Sequence, residues 1–425
     1  MSTICPSTLN TGGAVTADTI IIGGAGHAGV QAAVRLRELG WTGRIVMIAP
    51  DADAPYERPP LSKDFLKDGS PDAAVLLRKA SYFEDKGIDR VRGCIRAIAR
   101  DRRSVLLEDG SRHDYSKLIL ALGSTPRPLT VPGSDLDGVH ELKTHENASA
   151  VRAALTPGAQ VVVIGAGYIG LEVAAAAASR GCETTVLEFE NRVMSRVTCE
   201  VVSRHFERLH NSKGSRLVFG AAVTEIRGQD RVREVVTADG SVHPADVVVV
   251  GIGVRPLQEL ADESGVRVED GIVVDHNSRT NDPHIYAAGD ATRLIDDGVN
   301  RRLESIQNAV AQATNAANHI MGLAMPRREV PWFWTVQHGV RLQTAGLRHP
   351  DDTIVLRGSS EGDQFSILYL RAGRLAAIDT VGTLRDFNPA KKLINSGALI
   401  DPERAADPSV KLSDAARGLT TAREA

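Results

Sequence analysis

The chain has 425 residues but only four cysteines, Cys5, Cys94, Cys182 and Cys199, and no two stand at C-x-x-C or C-x4-C spacing. That scarcity excludes a disulfide framework, a thiolate zinc site and a redox-active dithiol, and predicts plain thiols in a cytoplasmic protein. No apolar run approaches the roughly 20 residues that span a bilayer. Basic residues are not in excess either: 50 Lys and Arg stand against 53 Asp and Glu, a formal net charge of -3, which argues against a nucleic-acid binder. The opening MSTICPSTLNTGGAVTAD lacks a basic n-region and a continuous apolar h-region, so residues 1–17 read as a loose tail. What remains is ordinary globular composition in a chain too long for one core, which implies two or three domains.

Glycine supplies the organisation. DTIIIGGAGHAGVQAAVRLRELG (18–40) reads as a buried strand, a glycine turn and an amphipathic helix ending at Gly40. Gly24, Gly26 and Gly29 match G-x-G-x-x-G, whose glycines give a tight turn, close approach of backbone to a pyrophosphate, and close helix packing. RIVMIAPD (44–51) follows as the second parallel strand of a βαβ unit. The pattern returns in AQVVVIGAGYIGLEVAAAAASRGCETTVLEFE (159–190), with Gly165, Gly167 and Gly170 in the same register. One such motif is weak evidence; two in full strand, turn and helix context point to two dinucleotide sites.

Glu188 closes the strand after the second motif, where a carboxylate can accept both adenosine ribose hydroxyls. A 2'-phosphate would face like charge there, so NADH is favoured over NADPH, with Arg192 four residues on as a softening influence. The alternative is a solvated strand-end glutamate. Two sites in one chain have a simple meaning if FAD stays bound while a nicotinamide visits. TNDPHIYAAGDAT (280–292) adds a Gly-Asp pair expected to enter a helix, with Asp290 as a plain N-cap or as acceptor for a ribityl hydroxyl. LILALGSTPRP (118–128) and VVVVGIGVRP (247–256) read as crossovers between two nucleotide domains. The expected fold is α/β. A Rossmann-like FAD domain (18–123 and 255–329) is split by an inserted NAD domain (124–254), and a C-terminal α/β domain (330–425) covers the flavin.

The ordered set GGAGHAG, YERPPLSK, LILALGSTPRP, VVVIGAGYIGLEVAAAAA, VVVVGIGVRP, IYAAGD, LESIQNAVAQA and PWFWTVQ, from about residue 18 to about 392, resembles the FAD-dependent, NADH-using ferredoxin reductases of bacterial oxygenase systems, whose fold is similar to glutathione reductase. The resemblance implies flavin contacts from Ala28, Lys63, Ile95, Asp290 and Ile306, with Trp334 beside the isoalloxazine ring. It adds Arg58, Ala121, Gly123 and Arg127 around the same cofactor. On the nicotinamide side it implies Gly165, Gly167, Ile169, Gly170, Glu188 and the Gly251 to Gly253 turn. It also implies a catalytic pair, Lys63 with Glu172.

That pair gives YERPPLSKDFL (56–66) its meaning. Pro59 and Pro60 fix φ and stiffen the backbone, Ser62 is expected to cap the helix that follows, and Lys63 is delivered from a rigid point. A fixed ammonium stabilises the negative charge of a reduced flavin. Glu172 keeps that lysine charged in a dry site, and the helix dipole favours a carboxylate in its first turn. The bland alternative is a surface lysine and a routine helix-start carboxylate.

Three positions depart from the family pattern. The usual Gly-Asp after the second strand is Ala49-Pro50, so the ribose acid is Asp51, shifted by one, or is missing. A common arginine is Lys143, which keeps charge without the bidentate fork. The usual Trp-Ser-Asp-Gln reads Trp334-Thr335-Val336-Gln337.

With no dithiol, an external acceptor is required, and a one-electron [2Fe-2S] ferredoxin suits a flavin donor. Its docking face is expected near Arg301, Arg302, Arg327 and Arg328, in a window where arginines outnumber acids, although a solvated arginine set would look the same. No metal, nucleic acid or membrane partner is expected, and the chain reads as a monomer or weak homodimer. The rivals are a rubredoxin or nitrite reductase component, an NADH oxidase or peroxidase, and a flavin-binding signalling protein. In the C-terminal stretch, 363–382 reads as a hairpin, 388–397 as a short helix, and the residues after about 405 as a frayed tail.

Overall fold

A computed structural model describes residues 18–50, 54–67, 75–296, 298–326 and 329–417. The expected N-terminal tail, Asp51, Arg327 and Arg328 lie outside the described residues. Among the described residues no helix is long and apolar enough to cross a membrane.

The first sheet is parallel throughout, in the order Ile285–Ala287, Lys117–Leu120, Thr19–Gly23, Arg44–Ala49, Ile88–Arg92. Strands buried on both faces become continuous apolar runs, which is why TIIIG and RIVMIA show no polar alternation. On one face lie the helices His27–Glu38 and Ile306–Ile320. Their buried alanines, Ala32, Ala33, Ala313 and Ala316 among them, let the two pack closely. The second sheet repeats the plan, in the order Arg216–Phe219, Glu183–Glu188, Gln160–Ile164, Val247–Val250, Val139–Glu141, again all parallel.

The two crossovers meet. Ser124–Pro126 and Val254–Pro256 pair antiparallel as a two-stranded ribbon, so the chain leaves the first sheet and returns to it side by side. The C-terminal part is an antiparallel sheet, Trp332–Gln337, Val340–Gly346, Arg374–Val381, Phe365–Arg371, Thr353–Gly358, carrying the helix Phe387–Ser396. It contains the expected hairpin and short helix.

Over residues 406–417 the expected fraying does not occur. Arg357, 2% exposed, donates to Asp386 and to the backbone carbonyls of Ala405, Asp407 and Val410, and Leu399–Ile400 pairs with Ala416–Arg417. A buried guanidinium has five donors to satisfy, and here the tail carbonyls supply the acceptors.

One core cluster joins all three regions. It brings Leu61, Phe65 and Leu66 of the proline turn together with Leu171 and Val173 of the helix Tyr168–Ser179, and with Leu342, Phe365 and Ile367 of the C-terminal sheet. Each such side chain contributes about 1.5–3 kcal/mol on burial. The backbone carrying Lys63 is therefore anchored from behind.

Candidate functional site

The two glycine loops share one geometry. Gly24 (φ +115°) and Gly165 (φ +99°) adopt conformations that side chains avoid. Added Cβ atoms would lie 2.2 Å from the Ala121 oxygen and 2.6 Å from the Gly251 oxygen. At Gly29 and Gly170 a Cβ would sit 2.0 Å from the carbonyl oxygen of Gly24 and Gly165 respectively. The first and third glycines are thus dictated by protein backbone. The middle ones are not: a Cβ on Gly26 would meet only the Arg58 guanidinium, at 3.0 Å, and one on Gly167 would meet nothing within 4 Å. Both leave open space in front of helix N-termini, where unpaired N–H groups suit a phosphate.

A connected cleft of about 1190 Å³ runs past both loops. Its first half is lined by Gly26, Ala28, Arg58, Ala121, Gly123, Lys143, Asp290 and Ile306. The second half is lined by Gly165, Gly167, Ile169, Glu188, Gly251 and Gly253, with Arg127 at the side. Lys63, Glu172 and Trp334 line it as well. Gly24, Gly29 and Gly170 stand behind the loops, and Ile95 packs against Gly23 and the apolar core on that side, away from the cleft wall.

The first half fits a flavin nucleotide. The Arg58 Nε is buried without a partner beside Gly26, a donor waiting for an anion. His27 is held neutral, its pKa pushed down to about 4 by burial and then by Arg58, against the opposing pull of Asp290. Lys143 Nζ donates to Ser124 Oγ (2.8 Å), which donates to Asp290 Oδ2 (3.1 Å). Burial lowers the Lys143 pKa despite nearby Asp290. The chain after Asp290 does not enter a helix. It enters the strand Thr292–Asp296, so the N-cap alternative fails and the carboxylate faces the cleft.

The second half fits a nicotinamide nucleotide. Glu188 Oε2 accepts the Ala166 N–H (2.5 Å) and Oε1 accepts the Glu190 N–H (2.9 Å), which pins the carboxylate at the strand end facing the cleft. Arg192 does not reach this site. Its guanidinium donates to the Thr198 and Ser195 carbonyls and to Ser203 Oγ, so it braces its own loop.

The halves meet at the proline turn. Pro59–Ser62 forms a 3-10 turn, after which Lys63 adopts φ -121° and ψ -110° before the short helix Asp64–Lys67. Lys63 Nζ donates to Glu172 Oε2 at 2.8 Å and to the Pro59 carbonyl at 3.2 Å. That leaves one N–H for the cleft. Ser62 does not cap the next helix; its buried hydroxyl turns to Glu172 Oε2.

Several residues here escaped sequence reasoning. Thr335, noted only as a departure, donates to Glu172 Oε1 at 2.5 Å. Tyr168 stacks obliquely on Phe333 (4.7 Å), and its hydroxyl pKa is raised by burial and then by Asp379. Asp379, on the C-terminal sheet, accepts from Thr198 and Tyr369, both at 2.5 Å, and lines the cleft with Tyr369. None of these carries a spacing signal. Only the Tyr168 position, inside the second glycine motif, was open to notice.

The arginine window separates. Arg302 is 16% exposed and paired with Asp270 (3.4 Å) and Glu304 (2.5 Å), whereas Arg301 has a buried Nε without a partner.

The chain is similar in sequence and fold to known proteins. The family described as pyridine nucleotide-disulphide oxidoreductase matches residues 17–313, and a reductase C-terminal family matches residues 332–416. Rhodocoxin reductase of Rhodococcus erythropolis is 42% identical over 393 residues, covering 92% of each chain. The crystal structure of the ferredoxin reductase for the CYP199A2 system from Rhodopseudomonas palustris is similar with a TM-score of 0.91 at 40% identity, covering 94% of this chain and 100% of that one. The covalent putidaredoxin reductase–putidaredoxin complex is similar with a TM-score of 0.91 at 36% identity, covering 93% and 97%.

Proposed function

The chain belongs to the pyridine nucleotide-disulphide oxidoreductase family, and from that premise we propose that it passes electrons from NADH through FAD to a [2Fe-2S] ferredoxin serving an oxygenase, such as a cytochrome P450 or a ring-hydroxylating dioxygenase, in the cytoplasm. The observation that carries this reading is the Lys63–Glu172 pair, 2.8 Å apart with its carboxylate buried, in a cleft that passes both dinucleotide loops and is lined by no cysteine among the described residues. Without a dithiol, electrons leave to an external carrier. We assign residues 18–123 and 255–329 to the FAD domain, 124–254 to the NAD domain and 330–425 to the domain over the flavin.

When bound, FAD supplies hydride acceptance and release of single electrons. The chain's residues bind and position. Gly26, the helix N-terminus behind it and the unpartnered Arg58 hold the flavin pyrophosphate, and Asp290 takes a ribityl hydroxyl. Gly167 admits the pyrophosphate of NADH, and Glu188 takes its ribose. Lys63, kept charged by Glu172, turns its remaining N–H to the cleft and stabilises negative charge there.

The test is anaerobic NADH titration of the yellow protein, followed by cytochrome c reduction with and without a [2Fe-2S] ferredoxin, with rubredoxin as the competing acceptor. Turnover that needs the ferredoxin is expected. A colourless protein that cannot be reconstituted with FAD overturns the reading. Lys63→Ala is expected to slow flavin reduction by NADH roughly 10-fold or more, a typical loss for one electrostatic donor, and an equally fast step would remove the proposed role.

For docking we propose the basic edge at Arg301, Arg302, Arg327 and Arg328. Arg302 is committed to Asp270 and Glu304, so Arg301→Glu is the sharper variant. It is expected to raise the KM for ferredoxin and flatten its salt dependence while sparing NADH oxidation by ferricyanide.

A further inference from the structure

Three donors from two separate parts of the chain reach the Glu172 carboxylate. Lys63 Nζ and the Ser62 hydroxyl reach Oε2 from the proline turn, and the Thr335 hydroxyl reaches Oε1 from the C-terminal sheet. Thr335 is fully buried and in turn receives Gln337 Nε2 at 3.3 Å. Gln337 Oε1 stands 3.0 Å from His210 Nε2 on the helix Glu200–Ser212. Burial keeps His210 neutral, and its Nδ1 has no partner, so the ring proton belongs on Nε2, where it has an acceptor.

The order of these groups fixes a direction. With the Gln337 carbonyl taken by His210, its amide N–H points to Thr335, and the Thr335 proton is left to Glu172. Every donor in the row points toward the carboxylate. An amide does not relay a proton, so this is a line of aligned dipoles whose positive ends face Glu172. We propose that Thr335 is a positioning residue for the Lys63–Glu172 pair: oriented through Gln337 by His210, its hydroxyl fixes the Glu172 carboxylate, and so holds Lys63 aimed into the cleft.

The inference rests on the reading of the cleft as a flavin site. Other groups do not duplicate the Thr335 contact. Lys63 already occupies the other oxygen, and Tyr168, four residues earlier on the same helix, adds an electrostatic interaction with Glu172 but no hydrogen bond to it. Asp379 lies beyond Tyr168, Asp64 and Lys67 on the short neighbouring helix are exposed, and His338 stands past His210 with ring centroids 4.7 Å apart.

Thr335→Val keeps the side-chain shape and removes the donor, while Thr335→Ser restores it. Loss of that hydroxyl leaves Glu172 Oε1 without its donor, so the carboxylate and the lysine it aims are held less firmly. The measurement is the midpoint potential of the bound FAD against pH in the wild-type, Thr335→Val and Thr335→Ser holoproteins. The valine curve is expected to lie below wild type, because a less firmly aimed Lys63 stabilises negative charge in the cleft less well. The serine curve is expected to follow wild type.

If Thr335→Val does not retain FAD, Gln337→Met tests the same row away from the cleft wall and is expected to show the same displacement, smaller in size. Valine and methionine curves that superimpose on wild type, or a serine curve that follows valine, overturn the role of Thr335. A wild-type protein whose flavin NADH does not reduce overturns the reading of the cleft instead.

Discussion

The two glycine loops have the same backbone and opposite surroundings. At the first, the space before the helix is faced by the Arg58 guanidinium, 3.0 Å from a would-be Cβ on Gly26, with Lys143, Ser124 and Asp290 linked nearby. At the second, a Cβ on Gly167 meets nothing, and the neighbouring charge is the carboxylate of Glu188, with Phe189 70% exposed beside it. One cradle is furnished with a cation whose Nε is buried and unpartnered, suited to a phosphate that stays. The other is open, and its acid selects a ribose that arrives and leaves. A shared fold motif thus says that a dinucleotide binds, and the side chains around it say for how long.

The largest effect expected from this contrast is at Arg58. Arg58→Ala removes a buried donor from the first cradle alone, and charge-assisted hydrogen bonds of this kind correspond to roughly 100-fold in affinity. FAD titration into apoprotein is expected to show that loss, with NADH affinity in the reconstituted protein little changed. Equal losses for both nucleotides would break the contrast.

How much of this was legible in sequence follows from how local each constraint is. Gly24, Gly29, Gly165 and Gly170 were readable because backbone atoms a few residues or one strand away forbid a Cβ. Lys63 and Glu172 were readable only through the resemblance, since 109 positions separate partners that the fold brings to 2.8 Å. Thr335 and Asp379 were invisible as site residues. Their partners Glu172 and Thr198 lie 163 and 181 positions away, and hydroxyls in strands carry no periodic mark. The same holds for residues 406–417, which alanine-rich, charged composition made look frayed and which a single buried Arg357 helps hold in place. Ser62 was misread because a local cap and a distant carboxylate compete for one hydroxyl, and the charged acceptor wins.

The second way to sharpen the contrast is the attachment of the NADH half. Thr198 and Cys199 reach the C-terminal sheet through Asp379 and Tyr369, a buried titratable contact. Burial pushes the Asp379 carboxyl up to about 6, against the lowering pull of the Thr198 and Tyr369 hydroxyls and of Arg348. Because the folded pKa lies above the ordinary 3.8, the folded state holds the extra proton between about pH 4 and 6. Stability therefore falls as pH rises through that window, and the cost is complete above it. Asp379→Asn keeps an acceptor for both hydroxyls without the charge. It is expected to stabilise the protein at pH 7 to 8 by roughly 2 kcal/mol, with little change near pH 4. Thermal unfolding across pH reads this directly, and parallel curves for the two proteins would place the carboxyl at its ordinary value.

The smallest effect is at Glu188. Glu188→Gln keeps the size of the side chain, but its oxygen can accept only one of the Ala166 and Glu190 N–H groups, and its amide then faces the other. The ribose site is both less negative and less well held. The KM for NADH is expected to rise about 10-fold, equivalent to roughly 1.4 kcal/mol, while the KM for NADPH falls as like-charge repulsion disappears. FAD content should not move, because Glu188 belongs to the open cradle. Discrimination that survives the change would take ribose recognition away from Glu188, and the difference between the two loops would then rest on the first alone.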